Sequence, residues 1–282
     1  MPSMCIDLHV HSTYSDGTLR PAELVELALK RGLAAISITD HDTTEGTAEA
    51  LEAAGHTGLE VVPGIELSVV YHDRHLHLLG YYIDPENSEM NSALADIQAA
   101  RITRNGRIVE KLQGFGLKVN MPEVEAKSAV GQTGRPHIAQ VLVEKKIARS
   151  MEDAFTRFLK QGAIAYVPRL VLEAGRAIAI IQGAGGIAVL AHPGTIDSSL
   201  RTIPEIVEQL AAAGLSGIEV YYPTHSARNQ KQLSALASRY GLVVTGGSDY
   251  HGDIRPGTMI AGGRNLKVPV EILQQLKDRL VR

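Results

Sequence analysis

Residues Cys5–Thr18 read CIDLHVHSTYSDGT, an alternating apolar run that breaks off into histidine, serine, aspartate and glycine. The first half has the period-two pattern of a half-buried strand, and the second half has the chemistry of a turn. Residues two apart in a strand share a face, so His9 and His11 project into one pocket. The same arrangement, a short aliphatic run that ends in polar or coordinating side chains, recurs down the chain as LAAISITDH, LEVVPGIE, HLHLLGYYI, GIAVLAHP, GIEVYYP and GLVVTGGSD. Amphipathic helical stretches separate the runs. In PAELVELALKRG, Pro21 suits a first helical turn and Gly32 the stop, and RTIPEIVEQLAAAGLSG repeats that grammar. Strand runs alternating with helices predict an α/β fold built on parallel strands. One segment, residues 91–166, is mainly helical in pattern and reads as an insertion.

Composition limits what such a chain can do. With 282 residues, 44% of them hydrophobic, and with 27 Gly and 12 Pro, it suits one large domain or a domain with an insertion, and disorder is excluded. The formal charge of −3 argues against a broad basic surface that would hold long duplex nucleic acid by its phosphates, and leaves room for a small basic pocket. MPSMCIDL lacks a basic stretch followed by an apolar run, so a secretory signal is not expected. The most apolar region, residues 177–191, is broken by Gln182 and by glycines and is too short for a membrane span. The single cysteine, Cys5, cannot form an intrachain disulfide and is expected as a buried structural thiol. A cytoplasmic protein with no membrane contact is the expectation.

Coordinating side chains cluster at the ends of these runs, where barrel and open α/β folds place their chemistry. The first run leads to His9, His11 and Asp16. TDHD supplies Asp40, His41 and Asp42, PGIE supplies Glu66, and the fourth run contains His77, two residues after His75. AHP supplies His192, and GSDYH supplies Asp249 and His251. Taken singly, each is weak: H-x-H also occurs on surface strands, and TDHD is also a helix cap. Taken together, so many histidines and carboxylates aimed at one end of a sheet would be costly to bury without cations to pair them. His56, His72 and His75 fall outside this pattern and are expected as structural or exposed groups.

The motifs DLHVHSTYSDG, TDHD, PGIE, AHPG and GSDYH, in that order from Asp7 to His251, resemble those of the PHP (polymerase and histidinol phosphatase) family of metal-dependent phosphoesterases. The resemblance implies a distorted (β/α)7 TIM-like barrel formed by residues 1–90 and 167–282, with 91–166 as a helical insertion. It implies a cluster of two or three divalent ions, manganese first and iron or zinc as alternatives, in keeping with a mixed imidazole and carboxylate donor set. One ion would be held by His9, His11, Glu66 and Asp249; a second would share Glu66 and add His77 and His192; a third would use Asp16, His41 and His251. Asp40 and Asp42 are expected behind these ligands, orienting His41 or its neighbours. The implied reaction is hydrolysis of a phosphate ester by in-line attack of a cation-activated hydroxide, with no covalent intermediate. Asp249 stands at its centre, and His225 of YYPTHSARN is the candidate proton donor to the leaving group.

Substrate choice is read from what else reaches the pocket. GRPHIAQVL places Arg135 and His137 beside a proline at a helix start, and an arginine fork with helix-end amides is a good phosphate grip. FLKQGAIAYVPR adds Lys160 and Arg169, and YYPTHSARN adds Tyr222 and Arg228. Several cations predict a substrate with more than one phosphate. The insertion with its GRPHIA segment resembles a stand-alone bacterial branch of the family, that of the 3′,5′-nucleoside bisphosphate phosphatases and of ribonuclease AM, a 5′-to-3′ exonuclease. That likeness implies a small nucleotide or a short 5′-phosphorylated oligonucleotide as substrate, its 5′-phosphate on Arg135 and His137 and its 3′-phosphate over the metals. A histidinol-phosphate phosphatase is the second expectation. A nucleotide-binding regulatory module with a dead metal site ranks last, because every ligand position of the motifs is filled.

Overall fold

The computed structural model describes residues 5–128, 133–255, 257–262 and 266–281. Chain order runs β1 (Cys5–Val10), α1 (Pro21–Lys30), β2 (Leu33–Ile38), α2 (Thr47–Ala54), β3 (Glu60–Val61), β4 (Gly64–Tyr71), β5 (Arg74–Tyr81) and the long α3 (Ser88–Gly114). After it come α4 (Met121–Glu125), α5 (Arg135–Glu144), α6 (Met151–Ala154) and a π-helical turn, Phe155–Leu159. The chain finishes with β6 (Leu172–Glu173), α7 (Ala174–Gly183), β7 (Ile187–Leu190), α8 (Pro193–Ile196), α9 (Ile203–Ala212), β8 (Gly217–Tyr221), α10 (Ala227–Arg239), β9 (Val243–Gly246), β10 (Val268–Pro269) and α11 (Glu271–Leu280).

Seven strands form a ring. β1 pairs parallel with β2, and His41, just past β2, bridges Glu66 of β4. β4 pairs with β5, β5 with β7, β7 with β8, and β8 with β9. Tyr250, just past β9, bridges back to Val10 of β1, and the Asp249 and His11 amides donate to the His9 and Tyr250 carbonyls to seal the join. The result is the distorted (β/α)7 barrel, with β3, β6 and β10 as short additions at its edges. The close join needs Gly247, where a Cβ would lie 2.3 Å from the Cβ of His9.

Within the ring the expectation of parallel strands fails at β5, which runs antiparallel to both neighbours, and outside the ring the short β10 runs antiparallel to β1. Only His72 and Asp73 link β4 to β5, and so short a connection makes a hairpin, whereas a parallel crossover needs a dozen or more residues. Glu66 likewise does not end a run. Pro63 separates β3 from β4, so Glu66 sits near the start of β4, opposite Leu79, while Ser68 faces His77 across the hairpin. Cys5 is half-buried, because it opens β1 at the barrel's rim.

Helices cover the ring by burying one stripe each. On α1 the buried residues are Pro21, Leu24, Val25 and Ala28, one helical face, and they pack with Val10, Ile36 and Ile38 of the strands. Ile178 and Ile181 of α7, Ile206 and Leu210 of α9, and Leu233 of α10 share one apolar cluster with Ile65, Leu67 and Val69 of β4 and Ile218 and Val220 of β8. Residues of the helical segment have a separate apolar cluster: Ile108 and Leu112 of α3, Val124 of α4, Ile138 and Leu142 of α5, and Phe158. Arg101 of α3 pairs with Asp42 at the barrel mouth, and Gln98 Nε2 donates to the Asp42 carbonyl (3.2 Å), so the long helix is pinned to the catalytic end. Among the described residues no helix is long and apolar enough to cross a membrane.

Candidate metal centre

Asp7, His9 and His11 alternate along β1 onto one face, and that face looks across the barrel at Glu66. Glu66 is 1% exposed, and five imidazoles crowd it. His9 Nε2, His11 Nε2 and His41 Nδ1 lie 3.4, 3.2 and 3.1 Å from Oε2, while His77 Nδ1 and His192 Nε2 lie 2.8 and 2.9 Å from Oε1. Asp249 Oδ1 approaches His9, His11 and His251 at 3.6, 3.3 and 3.4 Å, and Asp16 lies 3.3 Å from His251 Nε2. Ligand-bearing atoms gather into four overlapping groups: His11, Asp16, His41 and His251; His9, His192 and Asp249; His9, His11 and Glu66; and His41, Glu66 and His77. The fold thus brings together every histidine and carboxylate that the motifs nominate as a ligand, though His11 also joins the Asp16 group and Asp249 also joins His192.

The donor chemistry fits cations. His9 Nε2, both ring nitrogens of His11, Asp16 Oδ1 and His41 Nδ1 are buried with no hydrogen-bond partner among the described residues, a condition that buried polar atoms rarely tolerate. Surrounding bonds also fix which nitrogen faces inward. His9 Nδ1–H donates to Glu219 Oε1 (2.9 Å), His192 Nδ1–H to Thr195 Oγ1 (2.8 Å), and His251 Nδ1–H to the Asp249 carbonyl (2.9 Å). Each of these rings therefore turns Nε2 to the centre, where its lone pair becomes available to a cation once the ring is neutral.

Electrostatics without a cation are finely opposed. Burial alone would depress His9, but Glu219, Glu66 and Asp249 hold it well above the ordinary imidazole range. His11, likewise buried, is held up to about 9 by Asp249 and Glu66. His41 goes the other way: burial pushes it down to about 3. Burial would raise Glu66, yet His41, His77 and His9 keep it well below the usual carboxylate range.

Asp40 and Asp42 do not orient His41. Asp40 accepts from the Ser12 amide (2.7 Å) and from the Ser12 and Ser15 hydroxyls (both 2.5 Å), so it shapes the loop after β1. Asp42 accepts from the Ser68 amide (2.9 Å) and pairs with Arg101, which ties α3 to β4. The carboxylate that does hold a histidine is Glu219 of β8, fully buried, which also accepts the His192 amide (2.7 Å). Its only sequence signal is a lone carboxylate inside the apolar run GIEVYYP.

His225 is also placed otherwise than expected. Its Nδ1–H donates to the Val220 carbonyl (2.9 Å) and its Nε2 accepts from the Gly194 amide (3.1 Å), so neither nitrogen is left to protonate a leaving group. Gly194 is required there, since a Cβ would lie 2.7 Å from the ring. Tyr222 is buried, with its hydroxyl on Asp249 Oδ2 (2.7 Å), and serves the ligand rather than lining the cleft.

Over the centre opens a cleft of about 330 Å³. Asp16, His41 and His77 of the ligand cluster line it together with Ser68, Phe155, His137 and five arginines, Arg101, Arg104, Arg135, Arg169 and Arg255, and Arg169 Nη1 donates to Ser68 Oγ (2.8 Å). Of the expected substrate contacts, Arg135, His137 and Arg169 line the cleft, while Lys160 is exposed and does not. His137 Nδ1 accepts from the Gly134 amide (3.0 Å), which leaves Nε2–H as a donor at the cleft wall. Arg101, Arg104 and Arg255 are additions: the first two sit three apart in AARITRNGR, one helical face, and Arg255 follows His251 by four positions. Arg104 is buried, and burial followed by Arg135, Arg101 and Arg169 pushes it down to about 9.

Comparison with known proteins agrees with this geometry. Residues 7–115 match the PHP domain family. A 3′,5′-nucleoside bisphosphate phosphatase of Chromobacterium violaceum is 34% identical over 98% of this chain and 98% of its own length. The 5′-3′ exoribonuclease Rnm of Escherichia coli is 35% identical over 94% of this chain and 90% of its own. A solved structure of an amidohydrolase from Chromobacterium violaceum, with bound sulfate and no metal, superposes with a TM-score of 0.85 at 32% identity, covering 97% of this chain and 96% of that one.

Proposed function

The chain belongs to the PHP domain family of metal-dependent phosphoesterases, and from that premise we propose that it removes the 3′-phosphate of nucleoside 3′,5′-bisphosphates and trims short 5′-phosphorylated oligonucleotides from the 5′ end. The observation that carries this reading is one cleft lined by both the ligand cluster and five arginines. Arg104, Arg135 and Arg169 have no carboxylate within ion-pair distance among the described residues, and cations sheltered in this way call for an anion. More cations than one phosphate needs, beside a ligand cluster, fit a substrate with two phosphates.

In this reading Arg104, Arg135 and the Nε2–H of His137 grip the terminal 5′-phosphate, with Arg101 fixed by Asp42 at the rim. The Leu159 carbonyl, freed by the π-helical turn, accepts from Arg135 Nη1 (3.3 Å) and aims its fork. The scissile 3′-phosphate then falls over His41, His77 and Asp16. We assign His9, His11, Asp16, His41, Glu66, His77, His192, Asp249 and His251 as the ligands of two or three divalent ions, manganese foremost. Such ions, when bound, acidify a water and offset charge on the phosphoryl oxygens. Glu219, Thr195 and Tyr222 hold the ligand set in orientation. Water adds to phosphorus, the bond to the 3′ oxygen breaks, and that oxygen takes a proton from solvent in the cleft, since His225 has both nitrogens engaged. With an oligonucleotide the same cut releases a nucleoside 5′-monophosphate and exposes the next 5′-phosphate, so trimming needs no second site. Substrates of this kind place the enzyme in the cytoplasm, and the helical segment 91–166 acts as the phosphate-reading insertion of the barrel.

The test is product chromatography after manganese-loaded protein meets adenosine 3′,5′-bisphosphate, a short 5′-phosphorylated oligoribonucleotide and histidinol phosphate in separate reactions. AMP from the first and stepwise mononucleotides from the second are expected. Turnover of histidinol phosphate alone would overturn the two-phosphate reading.

A further inference from the structure

Arg255 is the cleft arginine that pairs with a residue of the ligand cluster: it sits in the loop that follows His251, and its guanidinium pairs with Asp249. The two oxygens of Asp249 are divided: Oδ1 faces His9, His11 and His251, whereas Oδ2 receives Tyr222 and Arg255. Among the described residues the hydrogen bonds of this guanidinium run through Nη1 alone. The side chain is 48% exposed and lines the cleft.

From this geometry we propose that Arg255 is a catalytic residue that clamps the scissile phosphoryl group. The proposal rests on the phosphoesterase reading above and extends it, because that reading gives Arg255 no role. Asp249 anchors one corner of the planar fork, which leaves Nη2 and Nε as donors on a side chain that lines the cleft one carboxylate away from the ligand cluster. An arginine held in this way donates to nonbridging oxygens of a phosphate at the cluster, where charge grows as the ester bond breaks. Arg104, Arg135 and His137 belong to α3 and α5 of the helical segment and meet the other phosphate. The two ends of the substrate are thus gripped by different arginines, and Arg255 acts at the reacting end, whatever the rest of the substrate is.

The experiment uses Arg255→Ala and Arg255→Lys with manganese-loaded protein, and a simple aryl phosphate that has no second phosphate. Metal content is measured by elemental analysis, and binding of inorganic phosphate to the loaded protein by calorimetry. Arg255→Ala should keep full metal stoichiometry, bind inorganic phosphate at least tenfold more weakly, and lose about a hundredfold in kcat on the aryl phosphate. Added guanidinium should restore part of the alanine variant's turnover, and Arg255→Lys should fall between it and the parent. Loss of metal in step with loss of activity would overturn the proposal by making Arg255 a mere prop for Asp249, and so would unchanged phosphate affinity. The binding arm needs no turnover, so if the parent protein hydrolyses none of the nucleotide substrates, the functional reading fails while Arg255 is still judged.

Discussion

Arg104→Gln is expected to stabilise the protein while weakening its grip on substrate, a combination that follows from where this arginine is buried. Its side chain is 7% exposed, and Nε and Nη2 both donate to Asn105 Oδ1, at 3.3 and 2.8 Å. The folded state holds Arg104 down at about 9, first by burial and then by Arg135, Arg101 and Arg169. The unfolded chain has the ordinary, much higher arginine value, so at pH 7 both states are charged and the folded state bears the whole cost, about 4 kcal/mol. As pH rises through 9 the folded protein sheds the proton, and the cost declines toward the ordinary arginine value. Glutamine removes the charge and keeps one amide donor for Asn105, so about 1–2 kcal/mol of hydrogen bonding is given up. The net gain of about 2 kcal/mol should raise Tm by roughly 4–8 °C in a chain of this size. A charged hydrogen bond to phosphate contributes about 1.5–3 kcal/mol, so the bisphosphate should bind roughly 10–100-fold more weakly. Scanning calorimetry at pH 7, with and without adenosine 3′,5′-bisphosphate, reads both effects. A lowered Tm together with unchanged bisphosphate affinity would refute the reasoning.

Glu66→Gln removes the charge that five imidazoles share; a unit charge near 4 Å is worth about 4 kcal/mol at an effective dielectric of about 20, so metal affinity should fall at least a thousandfold. Full metal stoichiometry after gel filtration would sink that expectation. Glu219→Gln leaves one carbonyl oxygen for two donors, His9 Nδ1–H and the His192 amide, and should cost about 10–100-fold in metal affinity with little change in circular dichroism; an unchanged titration would show that Glu219 is not needed to orient the rings. Because His11 is held up to about 9 without a cation, an incoming ion must displace its proton below that pH. Metal affinity should therefore climb as pH rises from 6 toward 9, with protons released in calorimetry, and a flat profile over that range would contradict the assignment.

The ligand cluster is legible from residues because the local rules that write it are short-range. Alternation on β1 puts His9 and His11 on one face, and TDHD, AHP and GSDYH each follow an apolar run that can only be a buried strand. Pro21 with Gly32, and Pro204 with Gly214, bound their helices as expected. The direction of β5 is hidden, since an apolar run has no polarity and only pairing with β4 and β7 assigns one. His225 resembles a free acid beside polar neighbours until packing fills both of its nitrogens. Arg101 and Arg104 look like ordinary solvated helix cations, and only the hook through Asp42 lays α3 across the barrel mouth and turns them inward.

Residue order alone dictates which side chains gather at the strand ends, because strand period, turn chemistry and caps act over a few residues. The role that each group takes is set by long-range packing. Glu219 is an orienting base rather than a core carboxylate, Tyr222 and Arg255 share one oxygen of Asp249, Asp40 and Asp42 hold loops instead of rings, and Arg104 is sheltered without a carboxylate. Those roles depend on hydrogen bonds and burial between residues as far as 210 positions apart or more, and such contacts exist only once the ring of strands has closed.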